Sequence, residues 1–142
     1  MSALWSGSGT VEDPWQLKTP PGSSAYTLYR DDTASPPLLV CQVGSTRLTY
    51  LARVVEDMAA MLQAHGDWML LGAADEKKDA APGTVEAWGR AADNPVGGWY
   101  GQRKGYRGRL GMYIPPLLEA LGLVELEHGA RNNRVRAATA PG

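Results

Sequence analysis

Residues 98–113 bring together positive charge, aromatic rings and glycine, with no acidic side chain among them. Arginine and lysine neutralise phosphates, and the backbone N–H groups of a glycine-rich loop can approach phosphates closely. Exposed aromatic rings can stack on unpaired bases. We therefore expect a surface that contacts the nucleic acid backbone with little dependence on base sequence. Its predicted contact residues are Arg103, Lys104, Tyr106, Arg107 and Arg109.

A structural role for the same segment explains the pattern equally well. Its rings would then lie in the core, and its arginines would meet acidic residues from the rest of the chain. Residues 1–102 hold seven basic and twelve acidic residues, a net charge of −5, whereas residues 103–142 hold seven basic and three acidic, a net charge of +4. This asymmetry fits an anionic partner as well as ion pairs within the protein. The intervening loop "AADEKKDAAPG", with charges of both signs, is expected to stay solvated.

A second group of arginines follows near the end of the chain. Arg131 extends the predicted basic face, together with Arg134 and Arg136. Glu125 and Glu127 alternate on the preceding segment, however, and cross-strand pairing would neutralise two of these arginines. We favour that pairing and keep Arg131 as a predicted contact.

Residues with catalytic potential are few. His65 is predicted in the last turn of a helix, and His128 ends a strand. The single Cys41 lies in an apolar run, where a buried thiol is expected, and it excludes an internal disulfide. No phosphate-loop, nucleophile-elbow or zinc-binding motif occurs. We therefore expect no cofactor and no metal. A non-catalytic binding module is the leading hypothesis, a protein–protein interaction or assembly module the alternative, and a small enzyme the third.

The elements that must position these residues can be predicted from residue spacing. Short strands are expected in "DPWQLK", "AYTLYRD", "LLVCQV" and "TRLTY", the last two forming a hairpin. Leu51, Val54, Met58 and Leu62 belong to an apolar stripe that predicts a long helix over 51–65, ended by Gly66. A partner could use this methionine-bearing stripe or the N-terminal sheet, but core packing is the favoured role of the stripe.

The C-terminal third predicts a helix followed by a hairpin. Pro115 and Pro116 suit the first helical turn, and Gly122 suits the position just after the helix. "VELEH" and "RVRAA" alternate as strands around the turn "GARNN". The order of elements, and the sequence "LLEALGLVELEHGARNNRVRA", resemble a winged-helix domain. More than ten residues separate its last two helices, where a helix-turn-helix has three or four.

The chain as a whole resembles a family of small uncharacterised bacterial proteins. "DPWQLKTPPG", "HGDWMLLG", "GTVEAWGR", "NPVGGWYG" and "PPLLEALGLVELEH" carry that likeness, which implies a single-domain fold and no activity. We expect one α+β domain over 1–142, with 1–12 loosely ordered. A small antiparallel sheet in the β-rich part (13–50) packs on the long helix, and a winged-helix-like part (51–138) ends in a β-hairpin. No segment is apolar enough to span a bilayer, and a cytoplasmic location is expected.

Overall fold

The N-terminal part of the chain forms a four-stranded antiparallel sheet. The computed structural model describes residues 7–138. The strands are β1 (Trp15–Lys18), β2 (Ala25–Asp31), β3 (Leu38–Val43) and β4 (Thr46–Leu51), in the order β1-β2-β3-β4. Leu28, Cys41 and Leu48 are aligned across three strands and are buried. The four predicted strands are thus confirmed, and one face of their sheet lies on the core.

Helix α1 (Val54–His65) follows directly. The predicted helix began at Leu51, but the structure places Leu51 at the end of β4, where its N–H donates to the Tyr100 carbonyl at 2.9 Å. The helix has 12 residues, an ordinary length for a globular protein. Val54, Met58 and Leu62 are fully buried, so the stripe is core. Gly66, at φ 74°, ends the helix as predicted.

The remaining elements form three short helices and a second sheet. They are β5 (Met69–Leu70), α2 (Val85–Trp88), α3 (Leu110–Tyr113), α4 (Pro115–Ala120), β6 (Val124–Leu126) and β7 (Arg134–Ala137), with sheet order β5-β7-β6. The C-terminal hairpin is thus confirmed. Helix α3 was missed: it occupies the last four residues of the segment expected to be a loop.

The end of α4 has the geometry that its sequence indicates. Gly122 has φ 78°. The Leu123 N–H donates to the Leu118 carbonyl at 2.9 Å, and the Gly122 N–H donates to the Glu119 carbonyl at 3.0 Å. These two bonds define a Schellman motif, which turns the chain from α4 into β6.

One hydrophobic cluster joins the two sheets and the helices. It contains buried residues from β2, α1, α4 and β7, among them Leu28, Met58, Leu118 and Val135. Helix α1 packs against β7, and α4 contacts both β1 and β6. The segment 98–113 pairs with β4 through a bridge between Gly101 and Tyr50, and its Gly111 lies against the Leu71 carbonyl, next to β5, so its conformation is constrained near both sheets. No helix within residues 7–138 has the length and apolar character needed to cross a membrane.

Candidate functional site

The segment 98–113 packs closely against neighbouring backbone, and its glycines make that packing possible. A Cβ added at Gly108 would lie 2.3 Å from the Glu76 backbone nitrogen, and one at Gly101 would lie 2.5 Å from the Arg107 Cα. Real Cβ atoms do not make such approaches to backbone. Gly108 therefore allows close contact with the loop 74–78, and Gly101 allows close approach within the segment itself.

Glu76 holds this segment in place. Arg107 donates from Nε to Glu76 Oε1 at 2.8 Å and from Nη2 to Oε2 at 3.1 Å. The backbone N–H groups of Gly105 and Arg107 donate to the same carboxylate. The Arg107 hydrogen bonds, followed by those from the two backbone amides, lower the pKa of Glu76 to about 2. The expectation that this charged loop is only solvated is therefore wrong at Glu76. Arg107 has the acidic partner that the structural alternative required.

Two of the rings in the segment are anchored by the fold. Tyr100 is fully buried, stacks on Trp88 with 5.0 Å between ring centroids, and donates its hydroxyl to Asp57 Oδ2 at 2.8 Å. Trp99 is half-buried and has the guanidinium groups of Arg90 and Arg107 at 4.5 and 4.7 Å from its ring. These rings are structural. Of the aromatic residues predicted to stack on bases, Tyr106 remains, with 43% of its surface exposed.

Arg103, Lys104 and Tyr106 form the outer part of the segment. Arg103 donates from Nη1 to the Arg47 carbonyl at 2.7 Å, and its guanidinium carbon lies 4.1 Å from the Tyr106 ring centroid. Lys104 is exposed, and its side chain makes no hydrogen bond or ion pair to any residue of the described range 7–138. Arg103 thus holds one face of the Tyr106 ring, while Lys104 is available to a ligand.

A cleft of about 550 Å³ opens beside these residues, between the β3–β4 hairpin and the loop 74–78. We call it the basic cleft. Its chemically active lining residues are Lys77, Tyr106, Arg109 and Tyr113, with Asp75 opposite Arg109.

The charge around the basic cleft is positive. Lys77 and Arg109 line it together with the carboxylates of Asp75 and Glu76, and the three other basic residues of the segment 98–113 lie within two positions of lining residues in the sequence, so these seven residues together carry a net charge of +3. Arg109 Nη2 is 4.0 Å from Asp75 Oδ2, and both side chains are substantially exposed. A pair this open in water is weak and exchangeable. The five basic residues are Lys77, Arg103, Lys104, Arg107 and Arg109.

Arg131 lies elsewhere. It is exposed in the turn between β6 and β7 and lines a separate groove of about 460 Å³ with Pro20 and Leu70. The structure therefore brings five of the six predicted contact residues together and leaves Arg131 outside.

The other hairpin arginines are paired as the sequence indicated. Arg134 bonds Glu127 at 2.7 Å, and Arg136 bonds Glu125 at 2.9 Å. Both guanidinium groups also lie over the Trp68 ring, at 5.1 and 4.4 Å. This arrangement removes most of the positive charge that the hairpin could present to a phosphate.

The two histidines contact different parts of the fold. His65 Nε2 is 3.2 Å from the Trp68 carbonyl oxygen. His128 lies 2.8 Å from the Pro20 carbonyl through Nδ1 and 2.6 Å from Glu119 Oε2 through Nε2. Burial opposes protonation of His128, but its bonds to Glu119 and Pro20 outweigh burial and raise its pKa. His128 thereby ties the C-terminal hairpin to α4 and to the turn that follows β1.

Neither a metal site nor a reactive thiol emerges from the part of the chain that the structure describes. Cys41 is fully buried, and burial raises the pKa of its thiol. Residues 7–138 contain no group of three or more His, Cys, Asp or Glu side chains placed to hold a metal ion.

Sequence reasoning missed Glu76, Lys77 and Tyr113, because their roles depend on contacts between distant segments. One related signal was readable: Glu86 on α2 and Arg90, two residues after the end of that helix, are four residues apart, and they form a buried ion pair at 2.9 Å. Arg90 also donates to the carbonyls of the loop 74–78, including that of Ala74 at 3.0 Å. It thus shapes one wall of the basic cleft.

Comparison with known proteins places the chain in a family and assigns it no activity. No curated protein and no solved structure matches it. The model of one protein family matches residues 7–138. This match covers most of the chain, and it agrees with the likeness read from its motifs: the protein belongs to the family of unknown function DUF6855.

Proposed function

We propose that the protein is a non-catalytic module that binds the nucleic acid backbone at the basic cleft, in the cytoplasm. The observation that supports this most directly is the concentration of unpaired positive charge at a concave surface. Lys77 is exposed in the lining of the cleft, Lys104 is exposed beside the lining residue Gly105, and Arg109 has only a weak partner in Asp75. Such a surface attracts polyanions and fixes their phosphates.

The number of phosphate contacts is smaller than the sequence implied. Arg107 is neutralised by Glu76, and Arg103 is held by the Arg47 carbonyl. Three groups remain available, namely Lys77, Lys104 and Arg109. Each neutralised phosphate contributes about 0.9 to the salt slope on duplex DNA and about 0.7 on single strands. We therefore expect a slope of roughly −2 to −3 and micromolar or weaker binding near physiological salt.

Fluorescence anisotropy with labelled mixed-sequence oligonucleotides tests the proposal across a range of salt concentrations. Lys104→Ala should weaken binding and reduce the salt slope by about 0.7–0.9, the contribution of one phosphate. Lys18→Ala is the matched control, because Lys18 is also an exposed lysine but lies on β1, whereas Lys104 directly precedes Gly105 in the lining of the basic cleft. The control should bind as the unmodified protein does.

The absence of binding at low salt would contradict the proposal. Equal losses from Lys104→Ala and Lys18→Ala would contradict it too, since they would indicate attraction to the overall charge of the protein rather than to the cleft. Sequence preference is not expected, because flexible cationic side chains contact phosphates rather than base edges.

A protein-interaction role is the second candidate, and the groove at Arg131 favours it. Leu70, on the edge strand β5, is 46% exposed there, beside Pro20 and Met112. An extended peptide can add to a sheet edge and place an apolar side chain in such a groove. The α1 stripe is excluded from this role, because Met58 and Leu62 are buried. Light scattering over a range of concentrations, with Leu70→Lys as the comparison, tests whether a second copy is the partner.

A further inference from the structure

Tyr113 places an unpaired hydroxyl at the basic cleft. The residue is 8% exposed, lines the cleft, and packs edge-on against Tyr26 with 5.0 Å between ring centroids. Its backbone carbonyl accepts the Tyr26 hydroxyl at 2.7 Å, but its own hydroxyl has no hydrogen-bond partner among residues 7–138. The hydroxyl oxygen is not one of the enclosed unpaired atoms, so part of its surface is accessible, and the residue lines the cleft. An accessible hydroxyl without an internal partner can donate a hydrogen bond to a ligand.

Arg109 lies at the same cleft with an unusual backbone. Its φ of 60° puts it in the left-handed region, where a residue with a side chain is uncommon. Its N–H donates to the Ala74 carbonyl at 2.8 Å, so the fold holds this conformation. Strained residues of this kind concentrate at ligand sites. Because Asp75 is 4.0 Å away and exposed, the guanidinium can change partner when an anion enters.

Tyr106 supplies a flat apolar surface at the mouth of the cleft. Arg103 packs at 4.1 Å from its ring centroid and is itself fixed by the Arg47 carbonyl. With 43% of Tyr106 exposed, the ring remains accessible while its orientation is fixed. A base that stacks on this ring must be unpaired and unstacked from its neighbours.

We propose that the basic cleft binds one unpaired nucleotide, with its phosphate between Arg109 and the Tyr113 hydroxyl and its base on Tyr106. This inference rests on the proposed function and specifies its ligand as single-stranded nucleic acid. A cleft of about 550 Å³ accommodates one nucleotide and excludes a duplex from its interior. The guanidinium and the hydroxyl both donate, which suits the oxygen atoms of a phosphate.

Calorimetric titration of the whole protein with AMP, UMP, ribose 5-phosphate and inorganic phosphate at low salt tests the inference. The nucleotides should bind tighter than the two phosphates that lack a base. Tyr113→Phe, which removes only the hydroxyl, should weaken nucleotide binding about tenfold to a hundredfold, the loss expected for one hydrogen bond to a charged group. Tyr106→Leu should weaken nucleotide binding about tenfold and leave phosphate binding unchanged. Tyr29→Phe, on β2 and outside the cleft lining, is the control and should have no effect.

The outcomes separate this inference from the proposed function. Oligonucleotide binding that is equal for single strands and duplex and unaffected by Tyr113→Phe would overturn the nucleotide site and leave backbone binding intact. Nucleotide binding without oligonucleotide binding would overturn the proposed function and support the site. Equal affinity for AMP and inorganic phosphate would overturn the role of Tyr106. The melting temperature of each variant should stay close to that of the unmodified protein, and Arg109→Lys provides a second test at the phosphate if Tyr113→Phe unfolds.

Discussion

Replacing Arg109 by glycine should remove a ligand contact without loss of stability. Arg109 has φ 60°, and the left-handed conformation costs a residue with a Cβ roughly 1–2 kcal/mol, a penalty that glycine avoids. Glycine also loses more entropy on folding, which offsets about 0.4–1 kcal/mol of that gain. The backbone bond to the Ala74 carbonyl is retained, and the exposed pair with Asp75 is weak. The free energy of unfolding should therefore stay constant or rise by about 1 kcal/mol.

Thermal denaturation followed by circular dichroism measures this change. A gain of 1 kcal/mol corresponds to roughly 3–4 °C in melting temperature for a chain of this length. Arg109→Ala is the control: it also removes the guanidinium but keeps the strained backbone, so it should be less stable than Arg109→Gly. Both variants should lose affinity for oligonucleotides to the same extent. If Arg109→Gly is destabilised by more than about 1 kcal/mol, the guanidinium belongs to the scaffold and the argument from strain is wrong.

Three further predictions concern the scaffold around the basic cleft. Glu76→Gln should weaken the hold on the segment 98–113. Because the pKa of Glu76 is about 2 in the folded state, below its ordinary 4.5, its contribution to the free energy of unfolding is present above pH 4.5 and is lost as the pH falls towards 2. Urea titrations across that range should show that the free energy of unfolding depends less on pH in the variant than in the unmodified protein. His128 has a raised pKa in the folded state. Its contribution to stability should therefore be complete below its ordinary pKa of 6.5 and be lost as the pH rises through the pKa of the folded state. Melting temperatures measured between about pH 5.5 and 8.5 should show this loss of stability, and the pH dependence should be absent in His128→Asn. Gly108→Ala should destabilise the protein by several kcal/mol, because the added methyl group meets the Glu76 backbone. Gly105→Ala should be less destabilising, because nothing lies within 4 Å of the added methyl group, although φ is 89°. Equal melting temperatures for the two variants would contradict the close-packing argument.

Much of the local structure was predictable because it depends on residues close in sequence. The N-terminal strands are specified by their residue types and the turns between them, α1 by its apolar stripe, and the end of α4 by its glycine, all of which depend on neighbouring residues. The pairing of Glu125 and Glu127 with Arg136 and Arg134 was predictable as well, since a hairpin brings such residues opposite each other. The start of α1 was misplaced because β4, paired with β3 and bonded to Tyr100, takes Leu51 into the sheet.

The candidate site shows where sequence information ends. The sequence by itself determined that positive charge and aromatic rings concentrate in 98–113, which is a matter of composition. Which of those groups face a ligand was decided by tertiary structure, because Glu76, 31 positions before Arg107, takes that guanidinium, and Asp57, 43 positions before Tyr100, takes that hydroxyl. Arg109 and Tyr113 remain available because nothing in the fold pairs strongly with them within residues 7–138. The composition of a segment specifies which ligands its side chains can bind. Which of those side chains stay free for a ligand depends on whether internal partners replace solvent around them, and that is decided only when distant segments meet.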